Sequence, residues 1–293
     1  MTQPPFGRLV TAMVTPFAAD GSLDLAAAAD LATHLVDDQR NDALVINGTT
    51  GESPTTSDDE KLRLLQTVIE AVGDRSQVIA GVGTFDTAHT IHLAKQAAEA
   101  GADGLLVVTP YYSRPPQDAL AAHFLAVADA TDVPVILYDI PHRAGVPIET
   151  ETLLKVAQHP RIVAVKDAKG LPVQSAVVMA NSDLAFYSGD DAMMLPLMAV
   201  GGVGVVGTST HFSGARTAEL IATWLSGDID AALSLYRALL PVYQGVFATQ
   251  GVMLVKAGLA ARGRSAGGVR APLLNASEAQ TRAFVCLLDA AGL

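Results

Sequence analysis

The sequence predicts an α/β protein, a (β/α)₈ TIM barrel that carries a C-terminal helical extension. Two observations favour this fold: eight short β-rich segments recur along the chain, and segments with helical periodicity separate them. Strict alternation of strand and helix gives a parallel sheet, and eight units are enough to close that sheet into a barrel. An open doubly wound sheet is the alternative, but no strand leads into a GxGxxG helix-capping loop with an acidic residue at the right distance.

The predicted strands are short and apolar, as strands buried on both faces of a parallel sheet are. They span residues 9–17, 43–49, 78–83, 104–110, 134–140, 162–168, 184–190 and 202–209. Residues 57–72 and 86–100 repeat apolar side chains three and four positions apart. These two segments begin with the capping residues Ser57 and Asp86, which predicts amphipathic helices.

The last third of the chain is helical in pattern. Residues 192–215 contain no formally charged residue, but Pro196 and five glycines interrupt them, so we expect a helix and a buried strand rather than a membrane span. Helical segments from the eighth strand onward span 212–225, 229–246, 250–262 and 276–291. The last three exceed what a barrel needs. We therefore predict a catalytic barrel at residues 1–225 and a helical extension at residues 226–293.

The composition favours a compact protein that acts on small molecules. Half of the residues are hydrophobic and 17% are charged. Acidic residues exceed basic residues by 30 to 19, so we expect neither nucleic acid nor a membrane as a partner. The single cysteine, Cys286, excludes an internal disulfide, and the N-terminus lacks the pattern of an export signal. Both features predict a cytoplasmic protein.

The candidate chemistry lies at the C-terminal ends of the strands, where barrels of this kind carry their active sites. Lys166 ends the sixth predicted strand and Tyr138 ends the fifth, and strand parity points both side chains into the barrel mouth. Burial disfavours the charged form of a lysine, so its pKa falls and more free amine exists. A free amine adds to a ketone or aldehyde to give an imine, which stabilises a carbanion on the adjacent carbon. The pair predicts class I aldolase chemistry, with Tyr138 as a proton shuttle.

Two threonines complete this candidate site. Thr49 and Thr50 follow the second strand and offer hydroxyl and amide donors for the carboxylate of a keto acid. Taken singly, each residue has a plainer interpretation: Lys166 as a snorkelling or salt-bridged side chain, Tyr138 as a core aromatic, and the threonines as a hydrogen-bonded loop. Lys166 and Tyr138 at adjacent strand ends, together with the two threonines at the end of the second strand, favour catalysis.

Three other patterns are interpreted as structural. Residues 188–191, Ser-Gly-Asp-Asp, are expected to cap the seventh helix. His89 and His92 lie three positions apart but lack a third ligand, so no metal site is predicted. The glycine-rich residues 202–207 would suit a phosphate cradle, and close packing explains them equally well.

With these residues assembled, the chain resembles the dihydrodipicolinate synthase / N-acetylneuraminate lyase family over nearly its whole length. The matching motifs are Gly48-Thr49-Thr50-Gly51-Glu52-Ser53, Thr109-Pro110-Tyr111-Tyr112, Leu137-Tyr138-Asp139-Ile140-Pro141 with Arg143, Val165-Lys166-Asp167 and Ser188-Gly189-Asp190-Asp191. Thr50 and Arg143 resemble the branch that condenses pyruvate with L-aspartate 4-semialdehyde to 4-hydroxy-tetrahydrodipicolinate in lysine and diaminopimelate biosynthesis. The chain departs from that branch at Gly207 and Thr208, after Val205 and Val206, where a serine and a hydrophobic residue are common.

The resemblance implies a role for each residue that handles pyruvate. Lys166 forms the imine, and Thr49 and Thr50 hold the carboxylate of pyruvate. Tyr138 relays protons together with Thr49 and Tyr112. In the family, the counterpart of Tyr112 reaches in from a neighbouring subunit, so a homo-oligomer is expected, namely a tetramer built as a dimer of dimers.

The resemblance also implies how the second substrate binds. Arg143 binds the carboxylate of L-aspartate 4-semialdehyde, and Gly189 and Val206 line the pocket through backbone atoms. No metal or organic cofactor is implied, because the covalent lysine–pyruvate imine carries the chemistry. The nearest alternative is another pyruvate-dependent lyase, such as a 2-keto-3-deoxy sugar acid aldolase or dehydratase or N-acetylneuraminate lyase. A guanidinium favours a carboxylate over a polyol. A phosphate-binding barrel isomerase or synthase and a catalytically silent ligand sensor are more distant alternatives.

Feedback inhibition by lysine, which some family members show, uses an interface cleft near Ser53 and Tyr111. At the cleft positions where inhibited members carry histidine, asparagine and glutamate, this chain has Asp58, Lys61, Phe85 and His89. A histidine at position 89 removes the carboxylate that would pair with the ammonium group of the effector. We expect weak or absent inhibition, which initial rates measured with millimolar lysine will check. A rate halved by lysine in that range would contradict the expectation.

Overall fold

The computed structural model describes residues 3–293, which form a closed barrel of eight parallel strands in sequential order. The strands are β1 (Leu9–Ala12), β2 (Ala43–Ile46), β3 (Gln77–Gly81), β4 (Gly104–Val108), β5 (Val135–Asp139), β6 (Ile162–Asp167), β7 (Ala185–Ser188) and β8 (Gly204–Gly207). Strand β8 pairs with β1, with Leu9 opposite Val205, which closes the sheet and rules out the open doubly wound alternative. The predicted TIM barrel is confirmed. Most strands end before the predicted runs do, because the polar residues at the end of each run enter the loops.

Twelve helices accompany the strands in the described residues. They are α1 (Leu25–Asp37), α2 (Asp58–Val72), α3 (Thr87–Glu99), α4 (Gln117–Asp129), α5 (Pro141–Ala144), α6 (Thr150–Val156), α7 (Pro172–Met179), α8 (Met194–Ala199), α9 (Thr210–Leu225), α10 (Ile229–Gly245), α11 (Gly251–Ala261) and α12 (Glu278–Ala290). Short 3₁₀ turns lie at Ser53–Thr55 and Asp191–Met193. Ser57 caps α2 in a capping box with Glu60, and Asp86 caps α3, as the sequence predicts.

The barrel interior is filled by one apolar cluster, and a larger cluster lies between the strands and the helices. Ile136, Tyr138 and Ala164 belong to the interior cluster, whereas Leu137 and Val165, one position along, belong to the outer one. This alternation is the period of two that a strand imposes on its side chains. Tyr138, and with it the matching position of β6, therefore faces the inside of the barrel.

The C-terminal helices share the outer core with the barrel. Val255 and Leu259 of α11 and Phe284 of α12 are buried in the same cluster as Leu35 of α1. Residues 192–215 form α8, β8 and the start of α9, so the predicted helix and strand are confirmed. Within residues 3–293, no helix combines the length and the apolar character that crossing a membrane requires.

The loop between α11 and α12 is fastened to the segment that follows β1. Phe17 donates its backbone N–H to the carbonyl of Ala266 at 3.1 Å. At the next residue, Gly267, φ is +69°, and a Cβ atom there would lie 1.8 Å from the carbonyl oxygen of Phe17. Only glycine fits this contact, because any side chain would collide with backbone. The loop after α11 is thereby held against the barrel rim.

Candidate active site

Lys166 and Tyr138 meet at the C-terminal ends of two paired strands. They are direct partners in the register between β6 and β5. Lys166 is 4% exposed and Tyr138 is 5% exposed, and the lysine Nζ lies 4.3 Å from the centre of the tyrosine ring. The predicted neighbourhood of the two residues inside the barrel is confirmed. An ammonium group in this position would rest on the ring face.

Burial prepares the amine of Lys166 for chemistry. Removal from water lowers the pKa of Lys166 to about 8, because the charged form loses its hydration. The Asp191 carboxylate works in the opposite direction, and the Arg143 guanidinium lowers the pKa further. At pH 7 about a tenth of the side chain is therefore free amine, compared with less than about a thousandth at the ordinary lysine pKa near 10.4.

The phenol of Tyr138 keeps its proton over the same range of pH. Burial raises the pKa of Tyr138 to about 12, while the Arg143 charge and the Thr49 side chain partly offset this rise. A protonated phenol beside a free amine can donate a proton to a reacting oxygen and take one back. The two residues thus have the protonation states that an imine-forming site requires.

Asp191 is a buried carboxylate whose role the sequence does not reveal. Its oxygens accept hydrogen bonds from the backbone N–H groups of Thr208 and Ser209, at 3.0 and 2.9 Å, and from the Ser209 hydroxyl at 2.5 Å. It therefore ties the end of β7 to the end of β8. Asp190 is the helix cap, since it accepts from the N–H of Ala192 at 2.9 Å. The expected cap is confirmed for Asp190 and wrong for Asp191.

The threonine loop, residues 47–52, follows β2. It is a tight turn in which Gly51 donates to the carbonyl of Gly48 and Glu52 donates to the carbonyl of Thr49, both at 3.1 Å. Thr15, in the segment that follows β1, holds the loop by donating a hydrogen bond of 2.6 Å to the carbonyl of Gly51. Hydroxyl and amide donors are thereby held at fixed positions at the barrel mouth.

The two predicted threonines lie in different surroundings. Thr49 is exposed and lines a cavity of about 210 Å³, whereas Thr50 is half-buried with its hydroxyl 3.4 Å from that of Thr208. Tyr138 and Arg143 line the same cavity, whereas Lys166 does not line it and lies against the Tyr138 ring. The cavity is lined by Asn47, Gly48, Thr49, Ser53, Pro54, Gly81, Gly83, Leu106, Val108, Tyr111, Tyr138, Ile140, Arg143 and Ala144.

Arg143 stands at the outer edge of this cavity on the short helix α5. Its guanidinium donates to the side-chain oxygen of Gln250 at 3.0 Å. Gln250 precedes α11 and was not a predicted site residue, because nothing in the local pattern distinguishes it. The C-terminal extension therefore supplies a side chain that holds the guanidinium in place.

Gly189 lies beside Lys166, and Val206 lies inside the barrel. Neither residue lines the cavity. A Cβ atom at Gly189 would lie 3.1 Å from Cγ and 3.2 Å from Cε of Lys166, so any larger residue would crowd the lysine stem. Val206 is buried in the interior cluster that contains Tyr138. Both positions shape the surroundings of Lys166.

Tyr112 does not join the site of its own chain. Tyr112 is 95% exposed. Its φ is +71°, a left-handed backbone conformation that is uncommon for a residue other than glycine. Its neighbour Tyr111 lines the cavity and packs edge-on against Phe85, with ring centres 5.5 Å apart. A role for Tyr112 in a neighbouring subunit stays a prediction.

Comparisons with known proteins agree with this geometry. The sequence model of the Dihydrodipicolinate synthetase family matches residues 5–291. The chain belongs to this family. It is 61% identical to 4-hydroxy-tetrahydrodipicolinate synthase from Cutibacterium acnes, over 99% of each chain.

Solved structures of dihydrodipicolinate synthases share the fold of this family member. The enzyme from Cyanidioschyzon merolae, crystallised with lysine bound, is 38% identical, has a TM-score of 0.97 and aligns over 99% of this chain and 100% of its own. The enzyme from Acinetobacter baumannii, crystallised with pyruvate, is 31% identical, has a TM-score of 0.94 and aligns over 98% and 99% of the two chains.

The residues that the family resemblance assigns to a lysine-binding cleft make contacts within this chain. His89 and Asp58 pair through Nε2 and Oδ2 at 2.9 Å. Lys61 donates from Nζ to the carbonyl of Thr56, and burial lowers its pKa. The carboxylate of Asp58 is thus already engaged by a histidine. Weak inhibition by lysine stays a prediction.

A buried ion pair holds the loops that follow β5 and β6. Lys169 Nζ lies 3.0 Å from Asp139, and both side chains are almost fully buried. The other Asp139 oxygen accepts from the N–H of Ile148 at 3.1 Å. On the adjacent strand, Asp167 accepts from the Ser175 hydroxyl and from the N–H of Lys169. These carboxylates directly follow Tyr138 and Lys166 in sequence, so they fix the strand ends that carry them.

We expect Asp139→Asn to lower the free energy of unfolding by about 3 to 5 kcal/mol, because it leaves the Lys169 ammonium buried without a counter-charge. Urea denaturation at fixed protein concentration measures the change. Asp118→Asn is the matched control: it breaks the exposed pair with Lys155, 3.1 Å apart, and should cost less than about 1 kcal/mol. Equal destabilisation by the two variants would contradict the prediction.

Replacement of the whole pair separates lost charge from lost packing. Asp139→Leu combined with Lys169→Met should recover most of the stability, because apolar residues remove the buried charges together.

Proposed function

We propose that the protein condenses pyruvate with L-aspartate 4-semialdehyde to give 4-hydroxy-tetrahydrodipicolinate, with Lys166 as the residue that forms the imine. The observation that carries the assignment of Lys166 is its amine, which is buried at a strand end with its pKa lowered to about 8 and lies against the Tyr138 ring. The family membership and the 61% identity to a 4-hydroxy-tetrahydrodipicolinate synthase support the reaction.

The first half of the reaction activates pyruvate. The free amine of Lys166 adds to the keto carbon, and loss of one water gives a protonated imine. Its positive nitrogen draws electrons from the adjacent methyl group, which releases a proton and becomes an enamine. Tyr138 donates and accepts the protons that these steps move, together with Thr49. Thr49 and Thr50 hold the carboxylate through their hydroxyl and amide donors.

The second half joins the carbon skeletons. The enamine carbon attacks the aldehyde carbon of L-aspartate 4-semialdehyde, and the aldehyde oxygen takes up a proton to become the product hydroxyl. The amine of the bound aspartate unit then attacks the imine carbon and displaces Lys166 as free amine, which closes the ring. The imine supplies the electron sink, so the proposed cycle uses no metal and no organic cofactor. Arg143 receives the carboxylate of the aldehyde substrate at the cavity edge.

The assembly and location belong to the same proposal. Tyr112 is exposed on its own chain and can complete the proton relay only in a neighbouring subunit, which supports a homo-oligomer, a tetramer arranged as a dimer of dimers. The single cysteine and the biosynthetic reaction support a cytoplasmic location. The guanidinium of Arg143 argues against a polyhydroxylated sugar acid as the second substrate.

Sodium borohydride should trap pyruvate on Lys166 and on no other lysine. Because only the free amine reacts, the trapping rate should fall about tenfold for each pH unit below the pKa near 8 and level off above it. Peptide mass spectrometry of samples quenched at intervals between pH 6 and 9 measures site and rate together. Lys166→Ala should give no adduct, and the exposed control Lys155→Ala should behave as the native protein does. A rate that is constant between pH 6 and 8 would contradict the assignment.

Arg143→Lys should raise the KM for L-aspartate 4-semialdehyde about 10- to 100-fold, because a guanidinium hydrogen bond to a carboxylate is worth about 1.5 to 3 kcal/mol. The rate of pyruvate trapping should not change, since the positive charge is kept. Arg143→Met removes the charge as well, so the pKa of Lys166 should rise and the pH midpoint for trapping should move upward. Steady-state kinetics with each substrate varied, beside the trapping assay, distinguish the effects. An unchanged KM for the aldehyde in Arg143→Lys would remove the binding role.

A further inference from the structure

A second buried lysine joins the C-terminal extension to the threonine loop. Lys256 of α11 lies 2.7 Å from the Glu52 carboxylate, and the two side chains are 3% and 2% exposed. The ammonium also donates to the carbonyl of Gly268 at 2.7 Å and rests over the Phe17 ring, 4.2 Å from its centre. Every strong contact of this lysine is therefore with a fixed group rather than with water.

Glu52 is the last residue of the threonine loop, and its conformation is unusual. Its φ is +56°, a left-handed value that costs a glutamate backbone strain. Its backbone N–H closes the turn by donating to the carbonyl of Thr49. The carboxylate is occupied on both oxygens, by Lys256 at 2.7 Å and by the backbone N–H of Arg270 at 2.8 Å. The strained turn is thus held by residues more than 200 positions away in sequence.

Arg270 fastens the following turn as well. Its guanidinium donates to the Thr55 carbonyl at 2.7 Å, to the Glu60 carboxylate at 2.5 Å and to the Gly21 carbonyl at 2.6 Å. It stacks on the Phe17 ring, with Cζ 4.1 Å from the ring centre. Lys256 and Arg270 therefore hold the segment 52–55, which continues directly from Thr49 and Thr50, through charged hydrogen bonds.

We propose that Lys256 and Arg270 are positioning residues for pyruvate, which act through Glu52 to hold Thr49 and Thr50 where the carboxylate of the substrate binds. The inference rests on the proposed function of Lys166. Neither residue touches the cavity, so neither takes part in proton transfer or imine formation. The two residues raise the affinity for pyruvate and do not change the reactivity of the Lys166 amine.

The buried pair fits a positioning role better than a packing role. Apolar side chains of similar volume stabilise a protein interior at least as well as a buried ion pair, so packing alone does not require charges here. An ion pair whose members also form hydrogen bonds to other groups fixes the orientation of both side chains as well as the distance between them. The hydroxyl and amide donors of the threonine loop need a fixed orientation, because a hydrogen bond to a carboxylate depends on its angle as well as its distance.

The test compares Lys256→Met with the native protein in steady-state kinetics. We expect the KM for pyruvate to rise about tenfold or more, while kcat, the KM for the aldehyde and the pH midpoint for borohydride trapping change less than about threefold. The matched control is Arg262→Met, which breaks another ion pair of the extension, between Arg262 and Asp289 at 2.6 Å, away from the threonine loop. Arg262→Met should leave the KM for pyruvate unchanged. Equal rises in both variants would overturn the inference, because they would reflect a general loosening of the extension.

A second set of variants covers the case in which Lys256→Met does not fold. Glu52→Gln keeps the shape of the side chain, and Glu52→Gln with Lys256→Met removes both buried charges. The double variant should recover stability in urea denaturation and still show the raised KM for pyruvate, because the loop has lost its anchor. A normal KM for pyruvate in the folded double variant would overturn the inference.

Borohydride trapping on the native protein distinguishes failure of the proposed function from failure of the positioning role. If the native protein forms no trapped adduct between Lys166 and pyruvate, the imine mechanism fails, and the positioning role with it. If the native adduct forms but Lys256→Met and Glu52→Gln bind pyruvate normally, only the positioning role fails.

Discussion

The exclusion of water from one amine is the constraint on which this active site depends. Lys166 ends a strand of a closed barrel, where an apolar cluster lies on the inner side and the ring of Tyr138 covers the nitrogen. A lysine on the outer surface of the same barrel would keep its hydration and its full charge, and it would not add to a ketone near neutral pH. Closure of the sheet is therefore part of the chemistry, because only a closed barrel has an interior in which every strand end is shielded.

The donors that surround this amine are held from both ends of the chain. The threonine loop follows β2, while its anchors, Lys256 and Arg270, belong to the last quarter of the sequence. The Arg143 guanidinium is likewise held by Gln250, at the start of α11. The C-terminal extension thus does more than cover one side of the barrel. It supplies contacts to the threonine loop and to the Arg143 guanidinium, both of which line the cavity.

The sequence predicts most of the fold and the centre of the site, for reasons that are local. Each strand of a parallel barrel is a short apolar run, and the parity of residues along a run tells which side chains face inward. Lys166 and Tyr138 can therefore be paired without coordinates, since both stand at strand ends with the same parity as their apolar neighbours. Ser57 and Asp86 are identified in the same way, because a helix cap is read from adjacent residues.

What the sequence does not reveal depends on contacts between distant segments. Asp191 looks like a second cap residue, and only the fold shows that it ties β7 to β8. Glu52 and Lys256 are 204 positions apart, and the lysine is the single charged residue of the apolar helix α11. No periodicity relates such residues. The placement of Tyr112 depends on a second chain, which lies beyond what one sequence can specify by pattern.

Three lysines of this chain have buried side chains, and their partners explain why one of them is suited to act as a nucleophile. Lys169 and Lys256 each lie within 3.0 Å of a carboxylate, at Asp139 and Glu52. A carboxylate at that distance stabilises the ammonium form and so opposes the effect of burial. Lys166 forms no ion pair within residues 3–293; its Nζ lies over the Tyr138 ring, and burial lowers its pKa to about 8 against the opposing charge of Asp191. Burial alone therefore does not make a reactive amine. The reactive one is the buried lysine that has no carboxylate within ion-pair distance in the described residues, whereas Lys169 and Lys256 each have one.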